Sequence, residues 1–190
     1  NLLPSFRNID SILQGHPDMK KIPGVDMTTG SLGQGLSAAN GMAINSKMNH
    51  DGYRVYCLVG DGEIEEGKIW EAAMTANKYA LNNVVAFVDY NGLQIDGSVE
   101  DVKGVTNLKE KFEAFGWSVQ EIDGHDIQAI MDAIDNTNDS EKPNVIIAKK
   151  VKGKGVSFME NKASWHGVAP NDEQYAQAMQ ELEEVGEALC

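Results

Sequence analysis

The sequence predicts an α/β fold, a doubly wound and mostly parallel sheet with helices on both faces. Two short apolar runs, Val55–Val59 and Val84–Val88, are rich in β-branched residues, and the segment between them has helical spacing. A right-handed crossover between parallel strands has this layout. Because both runs are continuously apolar, we expect both strands to be buried on both faces. The chain is expected to form one domain over residues 1–190, with ligands beyond the carboxyl ends of the strands.

The remaining elements are predicted from apolar spacing and from turn and capping residues. They are, in chain order, a helix that starts at the glycine-rich stretch 28–35, a helix over 68–79, a polar loop at 99–104, a short amphipathic helix at 108–115, a strand at 118–122, a helix from Ile127, a strand at 145–148 and a closing helix capped by Asn171 or Asp172.

The composition excludes two classes of partner. Sixteen basic residues against 29 acidic ones give a formal net charge of −13, whereas nucleic-acid binding depends on clustered lysine and arginine. No apolar run reaches the ~20 residues that span a membrane, and the first residues lack the order of a signal peptide. The two cysteines, Cys57 and Cys190, do not make a disulfide framework. We therefore expect a cytoplasmic protein without nucleic-acid or membrane partners.

Polar residues follow each of the two apolar runs, Val55–Val59 and Val84–Val88. Gly60, Asp61 and Gly62 follow the first strand, and Asn91 follows the second. Because parallel strands end at the same edge of a sheet, Asp61 and Asn91 are expected to lie close together. A carboxylate and an amide oxygen, with the Leu93 carbonyl, suit a hard divalent cation such as Mg²⁺ that keeps places for phosphate oxygens. Taken alone, each motif is more often an ordinary tight turn.

The sequences GDGEIEEGKIWEAA (60–73) and NGLQIDG (91–97) resemble the thiamine-diphosphate signature of transketolases. Three further stretches, at 15–43, 111–126 and 149–167, resemble the cofactor-binding domain of that family in the family's order. The resemblance covers nearly the whole chain. It implies transfer of a two-carbon ketol unit from a ketose phosphate to an aldose phosphate, with thiamine diphosphate held through Mg²⁺, for which Ca²⁺ or Mn²⁺ can substitute.

Several residues receive a cofactor-binding role from the resemblance. Gly30 and Leu32, in the glycine-rich stretch TTGSLGQG, would contact the cofactor rings. The order of these glycines, with no strand before them, argues against a dinucleotide-binding fingerprint. The GDGE residues Gly60 to Glu63, together with Asn91, would lie at the diphosphate. The helix dipole alone also explains Glu63, because acidic residues are favoured in a first helical turn.

Three residues receive a catalytic role from the resemblance. His16 matches a histidine near the reactive carbon of the cofactor and the substrate hydroxyls. His166 matches one that reaches both the diphosphate and the substrate. Glu66 matches a glutamate at the dimer interface that joins a proton network between two active sites. Without the resemblance, a lone loop histidine is more often structural or solvated.

Two other polar segments are given ordinary structural explanations. His125, in DGHD (123–126), is interpreted as part of an N-capping loop rather than as a metal ligand. Lys149–Gly155, the basic cluster of an acidic chain, is interpreted as a solvated loop. Its position at a strand exit also permits a contact between a lysine and phosphate.

The resemblance implies that this chain supplies half of an active site. The family's aminopyrimidine pocket and its activating glutamate belong to a second domain, and the family's usual start, with two histidines, has no counterpart before His16. We therefore expect a split transketolase whose partner is a C-terminal, pyrimidine-binding subunit, with self-association through the face that bears Glu66 and the helix 68–79. The alternatives are a cofactor-binding or scaffold protein without turnover, or a related enzyme such as dihydroxyacetone synthase, with deoxyxylulose-phosphate synthase less similar.

Overall fold

The computed structural model describes residues 2–189, in which six strands and six α-helices follow one another along the chain. The strands are β1 (Val55–Gly60), β2 (Val84–Tyr90), β3 (Leu93–Gln94), β4 (Gly97–Ser98), β5 (Ser118–Asp123) and β6 (Asn144–Lys149). The helices are α1 (Gly35–Asn49), α2 (Gly67–Lys78), α3 (Val99–Val102), α4 (Leu108–Ala114), α5 (Ile127–Asn136) and α6 (Asp172–Leu189). Within this range no helix is long and apolar enough to cross a membrane. Cys190 lies outside the described residues.

Four strands form a parallel sheet in the order β1-β2-β6-β5. The chain passes from β1 to β2, jumps to the far edge at β5, and then returns to β6. Because crossovers between parallel strands are right-handed, this return places α5 on the face opposite α2 and α4. The predicted α/β fold with helices on both faces is therefore confirmed. The short strands β3 and β4 form a separate antiparallel hairpin directly after β2.

The larger core lies between the sheet and helices α1, α2 and α4. It is anchored by the fully buried ring of Phe112, whose centroid lies 5.2 Å from that of Trp70 and 5.5 Å from that of Trp117. The Trp117 indole donates to the carbonyl of Ala73 in α2 at 3.0 Å, so that a buried polar group is satisfied. A smaller cluster around Val85 packs against α5 on the other face.

The expectation that β1 is buried on both faces is wrong. Tyr56 is 52% exposed and Leu58 is 73% exposed, whereas Cys57 and Val59 on the other face are buried. The physical reason is the order of the sheet: β1 is an edge strand. The smaller cluster on α5 includes residues of β2, β5 and β6 and none of β1. The alternation of burial along β1 is thus that of a strand covered on one face only.

The stretch 99–104, expected to be a polar loop, begins with the short helix α3. Its first residue, Val99, is buried. The Ser98 hydroxyl caps this turn by accepting a hydrogen bond from the amide of Asp101 at 3.0 Å. A capped turn with one buried anchor is too short to show a periodic pattern in sequence.

Helices α5 and α6 begin at capping residues that the sequence offers. The Asn171 side chain accepts from the Gln174 amide at 2.9 Å, and the Gln174 side chain accepts from the Asn171 amide at 3.0 Å. This reciprocal pair is a capping box at the start of α6. Asp126 caps α5 by accepting from the amides of Gln128 and Ala129. Both predicted caps are confirmed.

We expect the Cys57 thiol to resist alkylation in the folded chain. Burial in β1 and the negative charge of Glu63 raise the pKa of this thiol to about 11, so little thiolate forms at neutral pH. The measurement is iodoacetamide labelling at pH 8, with the Cys57 peptide quantified by mass spectrometry in native buffer and in guanidinium chloride. Equal labelling rates in the two conditions would contradict this prediction.

Candidate functional site

Asp61 joins the ends of β1 and β2. Its Oδ1 accepts from the amide of Gly62 at 2.9 Å and its Oδ2 from the amide of Gly92 at 2.5 Å. The residue is 2% exposed. Burial raises the pKa of the Asp61 carboxyl and the charge of Asp89 raises it further, while hydrogen bonds from the Gly92, Gly62 and Asn91 amides oppose both. The side chain is therefore a buried carboxylate whose negative charge is only partly compensated by amide donors.

Asn91 lies at the same edge of the sheet, as expected, because β1 and β2 are neighbours in parallel register. Its side-chain oxygen accepts from the Leu93 amide at 3.0 Å, and its side-chain nitrogen donates to Asp89 at 3.4 Å. Asp89 in turn accepts from Lys150 Nζ at 3.4 Å. These contacts fix the amide group with its nitrogen toward Asp89.

One cavity of about 500 Å³ contains most of the predicted site residues. Those that line it are Leu32, Gly60, Asp61, Gly62, Glu63, Glu66, Asn91, Leu93 and His166. Residues from the ends of β1 and β2, from the glycine-rich loop and from the loop before α6 therefore meet at the carboxyl edge of the sheet, where α/β folds bind ligands. His16 and Gly30 do not line this cavity.

His16 and Gly30 instead pack against each other beside the cavity. A Cβ atom placed on Gly30 would lie 2.7 Å from Cγ of the His16 ring, and the φ of Gly30 is +121°. Only glycine fits both the backbone angle and the close contact. His16 therefore packs against the loop at Gly30, two residues before Leu32, and of the three only Leu32 lines the cavity.

His166 is held by the aromatic pair before it. The indole of Trp165 donates to the Phe158 carbonyl at 2.9 Å, and the two ring centroids are 5.3 Å apart. Next to Phe158, the Ser157 hydroxyl and amide donate to Glu181 of α6 at 2.7 and 2.6 Å. The Ser157 hydroxyl and amide, together with the Gln177 side chain, lower the pKa of the Glu181 carboxyl. Helix α6 thus fastens the loop that carries His166.

Gln94 is a cavity residue that sequence reasoning missed. A Cβ atom on Gly62 would lie 2.5 Å from Oε1 of Gln94, so the second glycine of GDG leaves room for this side chain. Gln94 belongs to the β3–β4 hairpin and lines the cavity. No sequence signal separates it from an ordinary hairpin residue, because the contact depends on how the hairpin folds against Gly62 in the turn after β1.

Lys103 and Glu65 are two further residues that were missed. Lys103 Nζ donates to the backbone carbonyl of Glu65 at 3.2 Å, and both residues line the cavity. Oε1 of Glu65 is buried and has no hydrogen-bond partner. A buried carboxylate oxygen without a donor is costly, so this atom is available to a donor group from outside the chain.

The capping-loop interpretation of DGHD is confirmed. Nε2 of His125 accepts from the amide of Val151 at 2.8 Å, which leaves that nitrogen without a metal-ligating lone pair. Across residues 2–189 there is no group of three or more His, Cys, Asp or Glu side chains suited to a metal. Within the basic cluster, Lys149 pairs with Glu121 at 3.0 Å while its side chain stays 58% exposed, and Lys154 is also exposed, as a solvated loop requires. Lys152 lines the main cavity.

A hard divalent cation fits the residues at the carboxyl edge. The donor set combines one buried carboxylate, Asp61, with the amide oxygen of Asn91 and the carbonyl of Leu93. Neither salt bridge of the described chain involves Asp61, so no protein cation neutralises its charge. A set with one carboxylate and neutral oxygens suits Mg²⁺ better than a transition metal, which favours histidine or cysteine.

A parallel sheet with these groups at adjacent strand ends, facing a glycine loop at a helix start, defines a domain that holds an anionic cofactor at its carboxyl edge. The family model described as "Transketolase, thiamine diphosphate binding domain" matches residues 1–184. The chain belongs to this family.

Two curated relatives are subunits of transketolases. The chain is 44% identical over 186 residues to a 6-deoxy-6-sulfo-D-fructose transketolase subunit from Clostridium sp. (strain MSTE9), covering 97% of this chain and 68% of the relative. It is 46% identical over 182 residues to an apulose-4-phosphate transketolase subunit from Phocaeicola vulgatus, covering 94% and 64%. The chain thus spans about two thirds of the length of these subunits.

A solved structure agrees with this assignment. Transketolase from Campylobacter jejuni superposes with a TM-score of 0.89 at 34% identity, over 95% of this chain and 29% of that one. Human transketolase is 41% identical over 181 residues, which are 29% of its length. Because these relatives are named as transketolases, they favour this family over the scaffold and dihydroxyacetone synthase alternatives.

Proposed function

We propose that residues 1–190 act as one cofactor-binding domain of a transketolase that transfers a two-carbon ketol unit from a ketose phosphate to an aldose phosphate. One observation carries the proposal: Asp61 and Asn91 end adjacent parallel strands in a cavity that the glycine-rich loop also lines through Leu32. The test is a two-carbon transfer assay on this chain in the presence of a pyrimidine-binding subunit. The proposal includes a cytoplasmic location.

In this proposal, thiamine diphosphate supplies the carbon nucleophile when it is bound. Asp61, Asn91 and the Leu93 carbonyl would hold Mg²⁺, or Ca²⁺ or Mn²⁺ in its place, and the ion would supply positive charge for the diphosphate. The residues of the GDG turn allow the diphosphate to approach the backbone. Gly30 and Leu32 contact the cofactor rings.

The same proposal gives three residues a place in the chemistry. His166, exposed on the cavity wall, donates hydrogen bonds to the diphosphate and the substrate. His16 reaches the substrate hydroxyls from beside Gly30. Glu66, also exposed on the cavity wall, passes protons toward a second copy of the site.

The proposed assembly contains a partner chain. The two curated relatives are themselves named as subunits of transketolases, and such a name implies a complementary subunit. A C-terminal, pyrimidine-binding subunit would supply the pocket for the aminopyrimidine ring and its activating carboxylate. A pair of each chain then forms the working enzyme.

We expect Met74→Glu to weaken self-association of this chain at least roughly tenfold, because a charge would be desolvated in the proposed interface. Met74 is 53% exposed on α2, the helix that follows Glu66. The measurement is sedimentation velocity over a concentration series. Met48→Glu, the same change at a 75% exposed residue of α1, is the matched control. A chain that is monomeric throughout, or two variants that behave alike, would contradict the proposed interface.

A further inference from the structure

The Glu63 carboxylate connects two segments of the site. Oε1 accepts from the amide of Gly33 at 2.8 Å, and Oε2 accepts from the amide of Gly60 at 3.2 Å. Gly33 belongs to the loop before α1 and lies 30 positions away in the chain, whereas Gly60 ends β1. A single, partly buried side chain therefore ties the glycine-rich loop to the strand end next to Asp61.

The loop has few other contacts that fix it at this point. Gly33 has a φ of +79°, and a Cβ atom there would lie 2.8 Å from Cβ of Glu66, so the backbone passes close to the turn after β1. Two backbone hydrogen bonds of the loop are long: the Gln34 amide donates to the Ser31 carbonyl at 3.4 Å, and the Thr29 amide donates to the Pro17 carbonyl at 3.4 Å. A charged acceptor at 2.8 Å is the stronger link, since hydrogen bonds to ionised groups are about twice as strong as neutral ones.

The position of Gly33, just before helix α1, also favours a contact with a carboxylate. Helix α1 begins at Gly35 and has no side-chain cap at Gln34. Amides just before and within the first turn of a helix lack internal partners, and a negative charge there is favoured by the helix dipole. Glu63 provides both an acceptor and a negative charge at the start of α1, although it belongs to the turn after β1 and not to the helix.

We propose that Glu63 is a positioning residue that fastens the glycine-rich loop to the end of β1 and holds Leu32 at the cavity before any ligand binds. The consequence for cofactor affinity rests on the proposed function. This role adds to the direct cofactor contact that the family resemblance implied, because both carboxylate oxygens accept backbone amides of the chain itself. Glu63 thus acts on the ligand through the loop.

The test separates the reach of the side chain from its charge. Glu63→Gln keeps the length but turns one acceptor into a donor that faces an amide, whereas Glu63→Asp keeps the charge but is too short to span both amides. Glu113→Gln, on the exposed side of α4, removes the same charge without a hydrogen bond and is the matched control. Circular dichroism and thermal melting establish that each variant is folded.

Two measurements are made on each folded variant. Amide hydrogen exchange by NMR on the ligand-free chain reports on Gly33 and Gly60. Calorimetry of thiamine diphosphate in excess Mg²⁺, with the pyrimidine-binding subunit present, reports on affinity. We expect both Glu63 variants to exchange Gly33 at least about tenfold faster and to bind the cofactor at least about tenfold more weakly, with Glu113→Gln unchanged.

Each outcome decides one part of the inference. Unchanged Gly33 exchange in both Glu63 variants would overturn the link itself. Faster exchange with undiminished cofactor affinity would overturn the positioning role and leave the proposed function standing. If Glu63→Asp alone keeps wild-type cofactor affinity and slow exchange of the Gly33 amide, the charge of residue 63 matters and the length of its side chain does not. That result would also overturn the positioning role. If the wild-type chain binds no thiamine diphosphate, the proposed function fails, while the exchange data still decide whether Glu63 fixes the loop.

Discussion

Asp61→Ala is expected to abolish metal-dependent retention of thiamine diphosphate. The substitution removes the one buried carboxylate of the donor set, which no protein cation neutralises among the described residues. In the proposed site the diphosphate is bound mainly through the ion, so loss of the ion is expected to remove the cofactor as well. Asn91→Ala is expected to weaken binding only about tenfold, the equivalent of about 1.4 kcal/mol, because water can replace a neutral ligand.

The measurement is calorimetry of thiamine diphosphate with and without Mg²⁺, in the presence of the pyrimidine-binding subunit. Because Asp61 also accepts the Gly62 and Gly92 amides, the thermal stability of Asp61→Ala must be measured beside its affinity. Asp139→Ala, at an exposed loop residue, is the matched control for loss of a carboxylate. Affinity that does not respond to the metal, or an Asp61→Ala chain that binds like wild type, would contradict the proposed site.

The central part of the site could be predicted from local patterns. Continuous apolar runs that contain several valines mark β1 and β2, and the polar residues that end them must lie at one edge if the strands are parallel. Asp61 and Asn91 were located in this way, and their proximity depends only on the two strands being neighbours. The same local reasoning identified the glycine-rich start of α1 and the caps of α5 and α6. Each of these features is determined by residues that lie close to it in the sequence.

The features that could not be predicted depend on distant parts of the chain. Tyr56 and Leu58 are exposed because β1 is at the edge of the sheet, and the strand order depends on where β5 and β6 pair, which begin more than fifty residues after β1 ends. A continuous apolar run can occur in an edge strand as well as in a central strand, so the sequence of the run does not distinguish the two. Helix α3 is one short turn held by the Ser98 cap and by burial of Val99, which leaves no periodic pattern to detect.

Glu63 shows the same limit within the site. Its neighbours Ile64 and Glu65 form a short 3₁₀ turn, so acidic residues near a helix start are explained without any further role. Its partner, Gly33, lies 30 positions earlier and becomes visible only when the loop folds onto β1. Gln94 is a similar case, because its contact with Gly62 joins a hairpin to a turn on another strand.

The isolated chain is expected to show no two-carbon transfer, and addition of a pyrimidine-binding subunit is expected to produce it. The cavity brings together the proposed metal ligands, the proposed diphosphate edge and His166, and His16 packs against Gly30 in the glycine-rich loop. The proposed activating carboxylate for the aminopyrimidine belongs to the partner. The measurement is turnover of a ketose phosphate with an aldose phosphate, first by this chain alone and then with increasing amounts of the second subunit.

Two variants make the reconstituted assay specific for this site. His166→Ala is expected to lower kcat/KM about a hundredfold, since it removes a proposed hydrogen-bond donor at the diphosphate and the substrate. His50→Ala, at an exposed histidine after α1, is expected to leave the rate unchanged. Turnover by the isolated chain would overturn the half-site proposal, because one chain would then supply the complete chemistry. Cofactor binding without turnover in the reconstituted mixture would instead favour a binding protein, since the site would hold its ligand without acting on a substrate.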